Sequence, residues 1–173
     1  MRRPLSILAL ISTVAIGAVA CTPAPTTDWS QCPTASGGQV QVAVVVADAT
    51  PDTRVVCVVV PAGSNGIDAL SARAARIGIA GPRLETGSGG VSVCGIDGTP
   101  AGGPCFKDDG NGNYSYWAYW TGGTTWAFAE AGAGARALQQ GDVDAWTYGS
   151  WGWPLTPPST LTALPSSFAE LTS

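Results

Sequence analysis

The chain has 173 residues, of which 45% are hydrophobic and 12% charged, with a formal net charge of -4 and no histidine. The missing imidazole excludes a Ser-His-Asp triad, a histidine-ligated zinc site and the commonest general base. Lys107 is the single lysine, and twelve acidic residues outnumber eight basic ones, which argues against the clustered basic surface that nucleic-acid phosphates require. The composition favours a binding module over an enzyme.

The first twenty residues have the pattern of an export signal. Arg2 and Arg3 precede an apolar run over residues 5–19, and small side chains occupy residues 18 and 20. The run is shorter than the roughly 20 apolar residues of a membrane span. Residues 1–20 are therefore predicted to be a signal peptide, whose removal leaves six basic residues against twelve acidic ones.

Cys21 follows directly and is the odd member of five cysteines. A small residue before a cysteine suits lipoprotein processing, in which Cys21 is acylated. With Cys21 set aside, the other four cysteines are an even set that can pair fully. We favour lipid attachment at Cys21 on the outer side of the cell membrane, with plain secretion as the alternative. The Pro/Thr-rich residues 21–28 would then form an extended tether.

The first folded elements are a hairpin and a helix. Residues 39–47 and 54–60 are valine-rich and flank a turn-prone segment, which predicts an antiparallel pair. In the following helix, Asn65 is placed to cap the start and Gly78 to end it. The apolar stripe of that helix consists of Ile67, Leu70, Ala74 and Ile77.

The remaining elements are strands. Residues 90–96 form one, followed by a tight turn at residues 97–98, and the next strands cover residues 114–121, 125–129 and 143–148. One helix among five to six strands predicts an α+β fold, a grasp-like mixed or antiparallel sheet with the helix packed on one face.

We expect a single domain over residues 29–153, because this length supports one hydrophobic core. Residues 154–173 are rich in Pro, Ser and Thr and are predicted to form a tail that packs partly, if at all.

The four cysteines of the domain are predicted to form two disulfides. Cys94 and Cys105 enclose a Gly/Pro-rich loop, and their separation suits a local bridge; Cys32 would then pair with Cys57. Four cysteines allow three pairings, so this connectivity is a preference.

Aromatic residues are concentrated between Tyr114 and Trp153, which hold six of the seven tryptophans and all four tyrosines. Both parities of the strand over residues 114–121 carry rings, so both faces of that strand are aromatic. One face is expected to line the core under the helix, with Trp117, Tyr119, Trp126, Phe128 and Trp146. The ligand-binding residues are predicted to be Tyr114, Tyr116, Trp120, Trp151 and Trp153.

Two acidic groupings invite other functions. Residues 108–113 place oxygen ligands at alternate positions, as calcium prefers, but the glycine and glutamate of an EF-hand are missing, which favours a glycine-rich turn. Glu130, Asp142 and Asp144 could pair as carboxylates for glycoside cleavage, although solvated residues beside an aromatic strand are the favoured interpretation. No catalytic residue, metal or cofactor is predicted.

Three motifs carry a family resemblance: Val93-Cys-Gly-Ile-Asp-Gly98, Tyr116-Trp-Ala-Tyr-Trp120 and Gly141-Asp-Val-Asp-Ala-Trp-Thr-Tyr-Gly149. With their order and gaps, the chain resembles the bacterial domain family named for its likeness to the carboxy-terminal domain of transcobalamin and intrinsic factor. Relatives usually have acid-Gly-Trp where this chain has Asp144-Ala-Trp146. The resemblance implies a grasp-type fold and, by analogy with the vertebrate carriers, corrinoid binding.

These observations predict an exported, lipid-anchored ligand-binding module that uses an aromatic sheet face, with a corrinoid or another flat small molecule as the candidate ligand. One alternative is an envelope interaction or structural domain that docks on a transporter component or another surface protein. Another alternative is a carbohydrate-binding protein. Because the chain lacks histidine, a bound cobalamin would have to keep its own lower base or remain without one.

Overall fold

The computed structural model describes residues 27–88, 90–152 and 155–173. The predicted signal peptide, Cys21 and Trp153 lie outside these residues. None of the helices within the described ranges is long and apolar enough to cross a membrane.

Eight strands and four helices make up the described part of the chain, and α2 is the one helix longer than a single turn. Their bounds are β1 Gln39–Val46, α1 Pro51–Arg54, β2 Val55–Pro61, α2 Gly66–Ile77, β3 Arg83–Gly87, β4 Gly90–Gly95, β5 Lys107–Asp108, β6 Tyr114–Thr121, β7 Ala127–Phe128, β8 Asp142–Trp151, α3 Ser159–Thr162 and α4 Phe168–Leu171.

Six strands form one mixed sheet in the order β2-β1-β8-β6-β5, and β7 pairs with the far end of β6. The contact between β1 and β8 is parallel, whereas the other pairings are antiparallel. β3 and β4 form a separate two-stranded hairpin. The predicted α+β fold, with a mixed sheet and one principal helix, is confirmed.

Helix α2 begins and ends where the sequence predicts. The Asn65 side chain accepts hydrogen bonds from the backbone N–H groups of Ile67 (2.9 Å) and Asp68 (3.1 Å), and the Asp68 carboxylate accepts one from the Asn65 N–H (2.9 Å). This reciprocal arrangement is a capping box. Gly78 ends the helix with φ at 74°, a left-handed conformation that glycine adopts without steric cost.

A partly buried ion pair and a hydrogen bond tie α2 to the turn at residues 97–98 and to α1. The Arg73 guanidinium is fully buried, donates to both carboxylate oxygens of Asp97 (2.7 and 2.8 Å) and reaches the Thr53 carbonyl oxygen (2.8 Å). Asp97 and Gly98 have φ values of 52° and 77°, which is the tight turn predicted at this position. The two-pronged contact fixes the orientation of the turn relative to the helix.

The sheet has a hydrophobic core on each face. The first core lies under α2 and contains Val42, Val44, Trp117, Tyr119 and Trp146. Three of the rings assigned from the sequence to the core under the helix are therefore found there. The other two, Trp126 and Phe128, pack against the opposite face instead.

The carboxy-terminal residues cover that second face. Leu161 of α3 is 0% exposed and Leu171 of α4 is also buried, and both pack with Ala43 and Val45 of β1 and with Trp120 of β6. The segment that the sequence identified as a tail thus supplies one side of a core. Its few apolar side chains are enough to cover this face because the sheet surface beneath them consists largely of small residues and rings.

The two disulfides are those favoured from the spacing of the cysteines. Cys32 pairs with Cys57, and Cys94 pairs with Cys105. The first joins the segment before β1 to β2, and the second closes the loop that follows β4. Strand β3 was not predicted, because its residues are mostly exposed and show no alternation of apolar and polar side chains.

The covering role of the carboxy-terminal residues is testable by truncating one side chain. Leu161→Ala should lower the free energy of unfolding by about 2–5 kcal/mol, because it leaves a cavity in a fully buried site. Chemical denaturation monitored by circular dichroism measures the change. Leu84→Ala is the matched control: this leucine is 39% exposed, so a change within about 0.5 kcal/mol is expected. Equal effects of the two changes would contradict the assignment of the carboxy-terminal residues to the second core.

Candidate functional site

The candidate site is a groove at the free edge of β6. β5 pairs with residues 114 and 115 of this strand, and β7 pairs with residues 120 and 121. Between them, within the described residues, no strand pairs with this edge of β6. The groove that opens there has a volume of about 500 Å³.

Rings form one wall of the groove and its floor. Phe106 and Tyr114 stand at the rim, where they are 53% and 48% exposed, and the Phe106 ring lies 5.3 Å from that of Tyr116. Deeper in the groove, Tyr119 stacks on Trp146 with ring centroids 4.8 Å apart. The aromatic side chains that line the groove are Phe106, Tyr114, Tyr116, Trp117, Tyr119, Phe128 and Trp146.

The other wall comes from two elements outside β6. Val91 and Val93 of the β3–β4 hairpin face the rings, and Val91 is exposed. Residues 129–133, which follow β7, complete the wall, and Ile67 of α2 closes one end. Of the described lining residues only Glu130 carries a charge, so the groove is apolar with one carboxylate at its margin.

Two of the five predicted ligand-binding residues, Tyr114 and Tyr116, line this groove. Trp120 does not: it is 0% exposed beneath the carboxy-terminal residues, and its indole N–H donates to the Thr147 hydroxyl (2.7 Å). Trp151 packs on the same covered face and donates its indole N–H to the Tyr116 carbonyl oxygen (3.1 Å). Trp153 lies outside the described residues.

The sequence interpretation also assigned Trp117, Tyr119 and Trp146 to the core alone, whereas all three reach the groove. Parity along a strand separates two faces, but this site opens at the strand's edge, where residues of both parities contribute. The gap between β5 and β7 creates that opening. Each of these strands has two residues, which is too short for hydrophobic periodicity to reveal.

A charged cluster lies behind the floor of the groove. The Arg136 guanidinium contacts the carboxylates of Asp142 (3.0 Å) and Asp144 and approaches the Tyr119 hydroxyl (3.5 Å). Burial raises the pKa of Asp144 to about 6, although the neighbouring Arg136 charge acts in the opposite direction. Burial, followed by the nearby Asp144 charge, also raises the pKa of Tyr119, so its hydroxyl stays neutral.

The acidic residues considered as metal ligands have other partners. The Asp109 carboxylate accepts hydrogen bonds from the Asn111 N–H (2.8 Å) and the Ser150 hydroxyl (2.8 Å), which hold its pKa at about 2. Residues 108–113 thus form a turn closed by a donor of its own and by Ser150 of β8. Among the described residues, one grouping of metal-ligand type is Glu85 with Cys94 and Cys105, but those two cysteines are bonded to each other.

No protein-family model matches the chain, and no curated protein matches its sequence. Among solved structures, the chain is similar to the crystal structure of haptocorrin in complex with Cbi, which is cobinamide, with a TM-score of 0.51 and 19% sequence identity. The match covers 69% of this chain and 27% of the haptocorrin chain, so this chain spans about a quarter of that protein.

At this level of identity the likeness shows the fold alone. It confirms the fold resemblance to the transcobalamin type that the sequence motifs predict. The structure therefore defines an α+β domain whose fold is similar to that of haptocorrin, with an open, ring-lined groove at a strand edge.

Gly66 is required where α2 meets the charged cluster. A Cβ atom at this position would lie 2.8 Å from Asp144 Oδ2, 2.9 Å from the Tyr119 hydroxyl oxygen and 3.1 Å from the Ala133 Cβ. Gly66→Ala should therefore lower the free energy of unfolding by about 1–3 kcal/mol, against the usual gain from alanine in a helix. Thermal or chemical denaturation measures this change.

Gly134→Ala is the control for that substitution. Its added Cβ would meet Ile67 and Val91 at 3.9 Å, an ordinary contact, so no loss of stability is expected. If both variants are equally stable, the packing of Gly66 against the cluster is not the constraint described above.

Proposed function

We propose that this protein is an exported, lipid-anchored module that binds a flat amphipathic small molecule in the groove, with a corrinoid as the candidate. The observation that carries the proposal is the groove itself, an apolar concavity whose rings come from both faces of β6. Its volume of about 500 Å³ falls within the range of roughly 300–1,000 Å³ that small-molecule sites occupy.

The groove has the chemistry that such a ligand requires. Exposed rings at the rim, Phe106 and Tyr114, offer flat apolar surface on which a planar ligand stacks. Exposed apolar groups gathered in one concavity are uncommon on a protein surface unless something binds there.

The strand edge adds polar groups to this apolar surface. Tyr119 uses its carbonyl oxygen on this edge to accept from the Ala129 N–H (3.1 Å), and alternate residues of a strand direct their backbone groups to the same side. The N–H and C=O of Trp117 therefore face the gap between β5 and β7. A ligand with amide groups around an apolar plate, as a corrinoid has, matches that pattern.

Haptocorrin in complex with cobinamide supports this choice, since that protein shares the fold. The absence of histidine means that this protein has no imidazole to offer a bound corrinoid. In this protein a cobalamin would keep its own lower base or none, so cobinamide, which lacks that base, is the simplest probe.

Export and anchoring rest on the sequence pattern around Cys21. Metabolic labelling with a fatty-acid analogue tests the anchor: the wild-type protein should take up label, and Cys21→Ser should not. Labelling of neither protein would favour plain secretion.

Ligand binding is tested by titrating the protein with cobinamide while measuring tryptophan emission, corrected for ligand absorption. Emission should fall with saturation, because several indoles lie in or next to the groove. Phe106→Ala and Tyr114→Ala should each raise Kd about 5- to 10-fold, the equivalent of about 1–1.4 kcal/mol per lost ring contact.

Ile79→Ala is the control, since this exposed apolar side chain lies outside the groove and its loss should leave Kd unchanged. Cobalamin, haem and a set of oligosaccharides define the ligand class. Unchanged emission with all of them would reject the small-molecule proposal.

The free strand edge favours a second candidate, docking of another envelope protein. An edge with unpaired backbone groups is a template for strand addition by an extended peptide. Should no small molecule bind, pull-down from envelope membranes by the wild-type protein, but not by Tyr114→Ala, would support this alternative.

A further inference from the structure

The wall residues 129–133 begin a segment, residues 129–137, that backbone hydrogen bonds join to the rest of the domain at a few points. At its start, the Ala129 N–H donates to the Tyr119 carbonyl oxygen (3.1 Å). The Gly66 N–H donates to the Ala133 carbonyl oxygen (2.8 Å), and the Leu138 N–H donates to the Ser64 carbonyl oxygen (2.8 Å). The Ala135 N–H bonds only within the segment, to the Gly132 carbonyl oxygen (2.8 Å). Ala137 forms an isolated β-bridge with Asn65, and Ala133 is buried in the first core. Between these two points the segment has no bridge to another element, so side-chain contacts hold it there.

Arg136 provides the principal side-chain contact. Its guanidinium bonds two carboxylates of β8, from Asp142 and Asp144, which lie two residues apart and so project from the same face of the strand. It also approaches the Tyr119 hydroxyl (3.5 Å), whose ring lines the groove. The arginine thereby connects the outer wall of the groove to its floor.

The two carboxylates differ in their surroundings. The Asp142 side chain is 22% exposed, whereas that of Asp144 is 0% exposed. The titratable and charged groups that face Asp144 are Arg136 from the loop, Tyr119 from β6 and Asp142 from β8; α2 contributes only Gly66 at this point. A buried carboxylate loses its hydration, and one guanidinium shared with a second carboxylate offsets that loss only in part.

We propose that Arg136 is a positioning residue for the wall of the groove, and that Asp144 makes this contact sensitive to acid, so that protonation of Asp144 holds residues 129–137 more firmly against β6 and β8. In the closed loop the carboxylate is desolvated, and opening of the loop returns it to water. The charged form therefore favours opening, and the neutral form favours closure.

The direction and size of this pH dependence follow from proton linkage. The pKa of Asp144 is about 6 in the closed arrangement, against an ordinary value of 3.8 when it is hydrated. A group whose pKa is raised in one state stabilises that state as the pH falls. Between pH 7.5 and pH 5 these two values make the closed form about tenfold more favoured.

Hydrogen exchange of backbone amides tests this without any ligand. In the wild-type protein, protection of the Gly66 and Leu138 amides, whose hydrogen bonds join the segment to the rest of the domain, should rise about tenfold from pH 7.5 to pH 5 after correction for intrinsic exchange. Asp144→Asn should abolish the dependence on pH, because its amide cannot ionise. Glu130→Gln, in the same loop, is the matched control and should preserve it. Amides of β1 serve as an internal reference for global stability.

A second measurement uses the wild-type protein alone and holds even if Asp144→Asn fails to fold. The Asp144 carboxyl carbon, followed by NMR, should titrate with a midpoint near pH 6. A midpoint near pH 4, or loop protection that does not change between pH 5 and 7.5, would overturn the proposal. Arg136→Lys should retain part of the loop protection, whereas Arg136→Gln should lose it at both pH values.

The consequence for ligand binding rests on the proposed function. Its outcome can be separated from that of the acid-sensitive contact of residues 129–137 with β6 and β8, which we call the latch. If cobinamide binds, its dissociation should be up to about tenfold slower at pH 5 than at pH 7.5, and equal at both pH values in Asp144→Asn. If loop protection changes while cobinamide never binds, the latch stands and the proposed function falls. If cobinamide binds while neither protection nor the Asp144 titration behaves as expected, only the latch falls.

Discussion

Burial of the central strands on both faces is the constraint on which the rest of this structure depends. β1 lies between β2 and β8, and residues 42–46 of β1 are almost completely shielded from solvent. Their continuous valine and alanine sequence is what a strand covered on both sides requires. α2 shields one face and the carboxy-terminal residues the other, so the sheet exposes backbone only at its edges.

The groove follows from that arrangement. Both faces of the sheet are covered, so rings of either parity are reached at the free edge of β6. The short strands β5 and β7 leave this edge open over residues 116–118. The other elements that line the groove are the β3–β4 hairpin, α2 and the loop after β7. The Cys94–Cys105 disulfide holds the hairpin, the cap at Asn65 fixes the start of α2, and the Arg136 cluster holds the loop. Tyr119 lines the groove with its ring and faces the Arg136 cluster with its hydroxyl. The binding surface and the contacts that position it are therefore adjacent in the structure.

Much of the fold was predictable because its signals are local. Asn65 and Gly78 bracket α2 through hydrogen bonds and a backbone conformation that involve only adjacent residues. The limits of β6, Tyr114–Thr121, agree with the predicted strand. The site was predictable only in part. Tyr114 and Tyr116 line it, but Trp120 is covered by Leu161 and Leu171, which lie 41 and 51 residues later in the chain, and no local pattern reveals such a contact.

The sequence by itself determined the α+β class, the hairpin, the capped helix and the concentration of rings in the carboxy-terminal half, because each depends on residue type and short-range spacing. It favoured the cysteine pairing that the structure shows, but it left the two other pairings open. The tertiary structure alone decided which rings are accessible. Accessibility depends on what packs over a side chain, and here the covering residues, Leu161 and Leu171, come from a segment whose composition indicates a loose tail. Likewise the pairing of Arg136 with Asp144 is created by the return of the loop onto β8, since burial of that carboxylate exists only in the folded sheet.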